Sequence, residues 1–207
     1  MKFLRNHWFD IGTVIGVLLL LYLFIIKPDI KTFTFFLTLN LISLFFHQFE
    51  EYRFPGYFPG MVNSVMYKST EPDKFPLNTH SALIINITGW VLYSIAIFVN
   101  QDILWFCTAV IIISVANFIA HTFVFNIKGK TFYNPGMITS VLFFLPLSVY
   151  YFYYVTSHLN ASALDIIFGI IVGILFNIFG IILPIKWLRN KNTKYIFENR
   201  QLRPQDR

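Results

Sequence analysis

Long apolar stretches alternate with short polar breaks along the chain, and this pattern predicts helices that cross a membrane. A helix needs about 20 apolar residues to span the hydrocarbon core of a bilayer, and six stretches approach that length. We place them near residues 8–26, 31–50, 80–99, 103–126, 137–156 and 163–187. The predicted fold is therefore an all-α integral membrane protein, with about six transmembrane helices in a single polytopic membrane domain over residues 1–207.

The composition agrees with this class. Hydrophobic residues make up 56% of the chain and charged residues only 13%, about half the charged fraction of a soluble domain. The net charge is +6, but much of the basic charge lies at or after the end of the last apolar stretch, in the tail 188–207. Such a tail is typical of contact with anionic lipid headgroups. We therefore expect the lipid bilayer as a partner, and no nucleic acid. The single cysteine, Cys107, excludes a disulfide within the chain and a cysteine-based metal cage.

The distribution of Lys and Arg predicts the orientation in the membrane. With the N-terminus inside, the inner segments carry fourteen of these residues and the outer connections only two, Lys27 and Lys31. Cytoplasmic segments are the ones enriched in Lys and Arg. Both termini are predicted to be cytoplasmic, and the expected location is a bacterial cell membrane.

Three ionisable residues end the second apolar stretch, in the run His47-Gln48-Phe49-Glu50-Glu51. Such groups are costly in hydrocarbon, by roughly 2.5–3.5 kcal/mol each. Helical spacing places Glu50 and Glu51 on either side of the face that His47 occupies. This arrangement suits metal chelation or proton transfer. The plainer alternatives are solvated carboxylates at a helix end, and a histidine that holds helices together by hydrogen bonds.

Polar residues form matching stripes on two predicted spans. Helical spacing puts Asn40 and Ser43 on the face of His47, and the fourth span carries Ser114, Asn117 and His121 at the same intervals. A bundle that buried both stripes would bring the two histidines together at one depth, on the cytoplasmic side.

The connection after the fourth span, Tyr133-Asn134-Pro135-Gly136-Met137-Ile138-Thr139, reaches the same side. Pro135-Gly136 is a turn signal that precedes the fifth helix. Tyr133 and Thr139 can donate hydrogen bonds into the site, and free amides at that helix start favour an anionic group.

These residues resemble the HXXEE-domain family of small membrane proteins. The resemblance rests on its naming motif, His47 to Glu51, on N-x-x-x-H at Asn117 and His121, and on Y-x-P-G-x-x-T between Tyr133 and Thr139. The three motifs occur in the family's order and cover roughly residues 47–139. The resemblance implies an enzyme of undetermined activity and indicates its site without naming a substrate.

Our first hypothesis is a metal site. His47, His121 and one or both of Glu50 and Glu51 are the candidate ligands, because two histidines and a carboxylate with an open position suit catalytic zinc or non-haem iron. The other glutamate, with Asn117, Tyr133 and Thr139, completes the predicted catalytic set. The predicted reaction is hydrolysis or acyl transfer on a lipidic or lipid-anchored substrate.

Two other readings stay open. One is a metal-free intramembrane hydrolase, in which glutamate activates water and His and Asn stabilise an oxyanion, similar in mechanism to CAAX-type proteases. Arg53 and the order of Asn117 and His121 depart from that family's pattern. The other is a small transporter that uses the cluster as a proton or cation relay. A transporter site is expected near the membrane midplane, with broken helices in repeated positions.

Overall fold

A computed structural model describes residues 2–159 and 161–207, and within these ranges the regular structure is entirely helical. The α-helices are α1 (Lys2–Ile26), α2 (Phe33–Tyr52), α3 (Phe58–Met61), α4 (Thr79–Val99), α5 (Leu104–Ile119), α6 (Phe125–Gly129), α7 (Met137–Thr139), α8 (Leu145–Ser157), α9 (Ala163–Asn177) and α10 (Leu183–Trp187). Short 3₁₀ turns cover Asn100–Ile103, Asn199–Gln201 and Pro204–Asp206.

Among the described residues, four helical stretches are long and apolar enough to cross a membrane: Lys2–Ile26, Thr79–Gly129, Met137–Ser157 and Ala163–Trp187. These stretches agree with a multi-span membrane protein. The count of six spans and the cytoplasmic placement of both termini remain predictions.

The two differences between four stretches and six predicted spans have physical reasons. Helix α2 has 20 residues, but it carries the polar stripe, and fourteen of its residues are buried by the rest of the bundle. It is the central helix. The stretch Thr79–Gly129 is a hairpin, because the chain reverses at Asn100, which adopts φ +48°. Tyr93 of α4 then hydrogen-bonds Ser114 of α5 (2.7 Å) across the hairpin.

Three of the long helices contain a π-helical turn, at Ala120–Val124, Ser140–Phe144 and Ile178–Ile182. The first joins α5 to α6, the second α7 to α8, and the third α9 to α10. A fourth such turn, Val62–Met66, extends α3. An extra residue in one turn shifts the side chains that follow it, and such turns are frequent at functional sites. His121 lies in the first π turn, and Ser140 begins the second.

The connection between α2 and α4 folds against the C-terminal tail. Asn63 ties this connection together, since its amide donates to the Pro72 and Leu77 carbonyls and accepts from the Leu77 N–H, each at 2.9 Å. In the tail, Phe197 and Leu202 are buried, and Arg200 donates to the carbonyl of Tyr52 at the end of α2 (2.8 Å). The basic tail is thus folded over one end of the bundle, because Phe197 and Leu202 pack there.

Candidate metal centre

One turn of α2 and the π turn after α5 bring two histidines onto one carboxylate oxygen. Oε1 of Glu51 lies 3.5 Å from Nε2 of His47 and 3.2 Å from Nε2 of His121. The rings of the two histidines meet edge to face, with centroids 4.8 Å apart. All three residues are buried, and their ligand atoms lie within 4.8 Å of one another.

The hydrogen bonds of Asn134 determine the tautomer of neutral His121. The Asn134 amide donates to the His121 carbonyl (2.7 Å) and to Oδ1 of Asn126 (2.8 Å), so its nitrogen is used as a donor. Its Oδ1 lies 2.6 Å from Nδ1 of His121 and must accept the proton there. The Nε2 atom of His121 therefore carries a lone pair that points toward Glu51.

Thr139 and Glu50 favour the same tautomer for neutral His47. The Thr139 hydroxyl donates to Oε2 of Glu50 (2.6 Å). Its oxygen, 3.0 Å from Nδ1 of His47, is then free to accept the proton of that nitrogen. The Nε2 atom of His47 is left with a lone pair as well.

The centre is consequently rich in acceptors and has no donor of its own. Two imidazole lone pairs and a carboxylate converge, and among the described residues neither Nε2 atom has a hydrogen-bond partner. A buried polar atom without a partner costs about 1–3 kcal/mol, and these two nitrogens form, with the Glu51 carboxylate, a group that could hold a metal ion. The 3.2 and 3.5 Å separations match the roughly 3.3 Å between ligand atoms of a tetrahedral zinc ion bound at 2.0–2.1 Å.

The Glu50 carboxylate lies in a different set of contacts from that of Glu51. Its carboxylate accepts from the Tyr133 hydroxyl (3.0 Å), from the backbone N–H groups of Ile138 (3.2 Å) and Thr139 (2.8 Å), and from the Thr139 hydroxyl. The predicted anionic group at the free amides of α7 is therefore the Glu50 carboxylate. With both oxygens engaged, Glu50 supports His47 through Thr139, and the group that can hold a metal consists of His47, Glu51 and His121.

Tyr133 stays a donor to Glu50 over the physiological pH range. Burial raises the pKa of the Tyr133 phenol, and the neighbouring Glu50 carboxylate raises that pKa further. The phenol therefore keeps its proton.

Asn117 lines a cavity that opens from the centre. The cavity has a volume of about 580 Å³, and His47, Glu51 and His121 lie in its wall with Asn117. One N–H of the Asn117 amide is donated to the Ile113 carbonyl (3.0 Å). An amide carries two such hydrogens, and this bond uses one of them. The predicted site residues thus fall into two sets, one around the cluster and the cavity, the other around Glu50.

Three supporting residues were not among the predicted site residues. Asn134 accepts a hydrogen bond from His121, and Gly136 lets the backbone pass close to both histidine rings. A Cβ atom at Gly136 would lie 2.6 Å from Nδ1 of His121 and 2.9 Å from Cε1 of His47. Phe58 of α3 lies over His121, with ring centroids 4.8 Å apart. The turn signal located Asn134 and Gly136, but nothing in the sequence pointed Phe58 toward the site.

Comparison with known proteins confirms the resemblance seen in the motifs. The profile of a family described as proteins of unknown function with an HXXEE motif matches residues 38–151. No curated protein and no solved structure matches the chain. The matched region contains all three motifs and every residue of the cluster. Since this match covers more than half of its length, the chain belongs to the HXXEE family.

Proposed function

We propose that this protein is a membrane-embedded metalloenzyme that holds one divalent ion, zinc or iron, between His47, Glu51 and His121. The observation that carries the proposal is the convergence of two Nε2 lone pairs and one carboxylate on a buried point without a donor. Three protein ligands with an open position are typical of catalytic rather than structural zinc.

The reaction class that suits this centre is hydrolysis, or acyl transfer to a second acceptor. A bound metal supplies a nucleophile at neutral pH by lowering the pKa of its water toward ~7. The residues of the chain do the rest: Asn134 and the Thr139–Glu50 pair orient the imidazoles, and Asn117 offers an N–H to an oxyanion that develops in the cavity.

A lipidic or lipid-anchored substrate fits the surroundings best. The cavity lies among membrane-spanning helices, and apolar side chains make up most of its wall, among them Leu44, Leu92, Ile113 and Phe176. An apolar group is stabilised there, at about 25 cal/mol per Å² of surface removed from water.

The test is the metal content of the detergent-purified protein, measured by elemental mass spectrometry after loading with zinc or iron. We expect one ion per chain, lost in both His47→Ala and His121→Ala while the variants keep their helical circular dichroism. His80→Ala is the matched control, because the His80 ring packs against Tyr195, with centroids 5.1 Å apart, and lies outside the centre. Zinc retained by both variants would contradict the proposal.

No metal in the loaded wild type would also overturn the proposed centre. The cluster would then have to share a proton, and glutamate–histidine chemistry without a metal would be the better account. A transport relay is less well supported, because buried apolar and aromatic side chains fill the bundle from the centre toward the other end of α2, among them Phe33, Leu37, Phe144 and Tyr151.

A further inference from the structure

The cavity beside the candidate metal centre is lined by residues from several turns of two helical segments. Helix α4 forms one wall and the stretch 176–186, from the end of α9 through α10, faces it. Phe176 and Lys186 are ten positions apart in the chain, which corresponds to about 15 Å at the helical rise. The His–Glu cluster lies in a third wall, formed by α2 and by α5 with its π turn.

The volume fits one hydrocarbon chain. A methylene group is similar in size to a water molecule, whose share of liquid volume is about 30 Å³. The cavity of about 580 Å³ therefore has room for about 20 such units, enough for one long chain with its head group and too few for a lipid with two long chains. Glycines widen it on both sides: a Cβ at Gly180 would meet no atom within 4 Å, and a Cβ at Gly89 would meet only Leu44, at 3.6 Å.

A cation lies at one end of the cavity. Among the described residues of the lining, Lys186 is the one Lys or Arg. Lys186 is exposed, lies in the last turn of α10, and forms no ion pair within the part of the chain that the structure describes. Its end of the helix is the one predicted to face the cytoplasm, at the level of lipid head groups.

From these observations we infer that the cavity binds a single-chain amphiphile with an anionic head group, a carboxylate or a phosphate. The head group pairs with Lys186, the chain extends toward Leu92 and Phe176, and the bond next to the head group lies against the metal centre. The inference rests on the proposed function for the role of the metal, but chain binding is measured separately from metal binding.

The experiment measures displacement of a dansyl-labelled fatty acid from the protein in phosphatidylcholine nanodiscs. Palmitate, palmitoyl lysophosphatidate and uncharged monopalmitoylglycerol are the competitors. In Gly180→Trp and in Gly89→Leu, which fill the cavity from opposite walls, we expect all three affinities to fall at least tenfold. The control Phe179→Trp adds bulk next to Gly180 at a residue that is 55% exposed and outside the lining, and it should leave the affinities unchanged.

The head group is tested by Lys186→Gln, with Lys191→Gln as an exposed basic control. We expect Lys186→Gln to weaken palmitate and lysophosphatidate about tenfold and to leave monopalmitoylglycerol unchanged. Whichever of the two anions binds the wild type more tightly identifies the head group. Equal losses of affinity for all three competitors in Lys186→Gln would overturn the assignment of Lys186 to the head group. Unchanged affinities in both cavity-filling variants would overturn the inference that the cavity binds the chain.

Metal content measured on the same samples separates the two proposals. A wild type that holds zinc but binds none of the three amphiphiles overturns only the inference about the cavity. A wild type that binds palmitate but never holds a metal overturns only the proposed metalloenzyme.

Discussion

His47 and His121 meet edge to face, with ring planes at 88° and both Nε2 atoms directed at the same oxygen of Glu51. They come from different helices, and each has its other ring nitrogen held by a different residue. The geometry therefore does not depend on either helix alone. It depends on how the segment 133–140 passes between α2 and the π turn at Ala120–Val124. The predictions below test the parts of this arrangement separately.

The two adjacent glutamates have different roles, and conservative substitutions separate them. Glu51→Gln removes a charged ligand, so we expect the bound metal to be lost, while the thermal stability of the metal-free protein should change little. Glu50→Gln leaves the three ligands in place but disturbs four hydrogen bonds, so we expect 10–100-fold weaker metal binding and a lower Tm. Zinc competition with a chelator and thermal unfolding measure both effects. Equal metal loss in the two variants would contradict the assignment.

The Thr139 hydroxyl links Glu50 to His47. Thr139→Val keeps the shape of the side chain and removes this link, so we expect the free energy of unfolding to fall by about 1.5–3 kcal/mol, as for a hydrogen bond to a charged group. Metal affinity should fall about tenfold. Thr139→Ser retains the hydroxyl and should behave as the wild type in the same two measurements; a Ser variant as impaired as Val would refute the role of the hydroxyl.

Asn134 is a buried positioning residue for His121. Asn134→Ala removes the acceptor at Nδ1 of His121 and the side-chain donor to the His121 carbonyl, and we expect 10–100-fold weaker metal binding. Asn134→Asp keeps an acceptor for Nδ1 of His121, so it should recover part of that affinity. Isothermal titration with zinc compares the two variants, and an Ala variant with wild-type affinity would show that the ring needs no such support.

Gly136 is required by both its conformation and its space. Its φ is +102°, and a Cβ there would press on both histidine rings. We expect Gly136→Ala to destabilise the protein by about 1–3 kcal/mol and to abolish metal binding. Gly89→Ala is the matched control, since its Cβ makes only an ordinary contact with Leu44. Tm and metal content measure the pair, and a Gly136→Ala variant with normal metal content would contradict the prediction.

The predicted orientation can be tested by single-cysteine labelling in intact cells. The native Cys107 is fully buried, so a membrane-impermeant maleimide should not label the protein without an added cysteine. We expect Asp29→Cys to be labelled from outside, and Asn192→Cys to be labelled only after the membrane is opened. Labelling of Asn192→Cys in intact cells would reverse the topology.

The sequence by itself determined the class of the protein and where its chemistry lies along the chain. Apolar runs of membrane-spanning length and a low charged fraction allow few other outcomes, because hydrocarbon accepts only helices or closed barrels. The three motifs identified the family. Period-3.6 spacing was sufficient to put His47 and Glu51 on one helix face, since residues one turn apart are neighbours in any α-helix.

Only the tertiary structure determined the contacts between residues that are distant in the chain. Glu50 and Glu51 are equivalent in the pattern, and only the position of the α7 amides directs one away from the centre and leaves the other in it. The π turn at His121 and the close approach of Gly136 to both rings depend on contacts between segments distant in the chain. Phe58 reaches the site because the connection after α2 folds back over the bundle. These contacts join surfaces that are distant in the sequence. Helix propensity and residue spacing depend on neighbouring residues, so they do not predict such contacts.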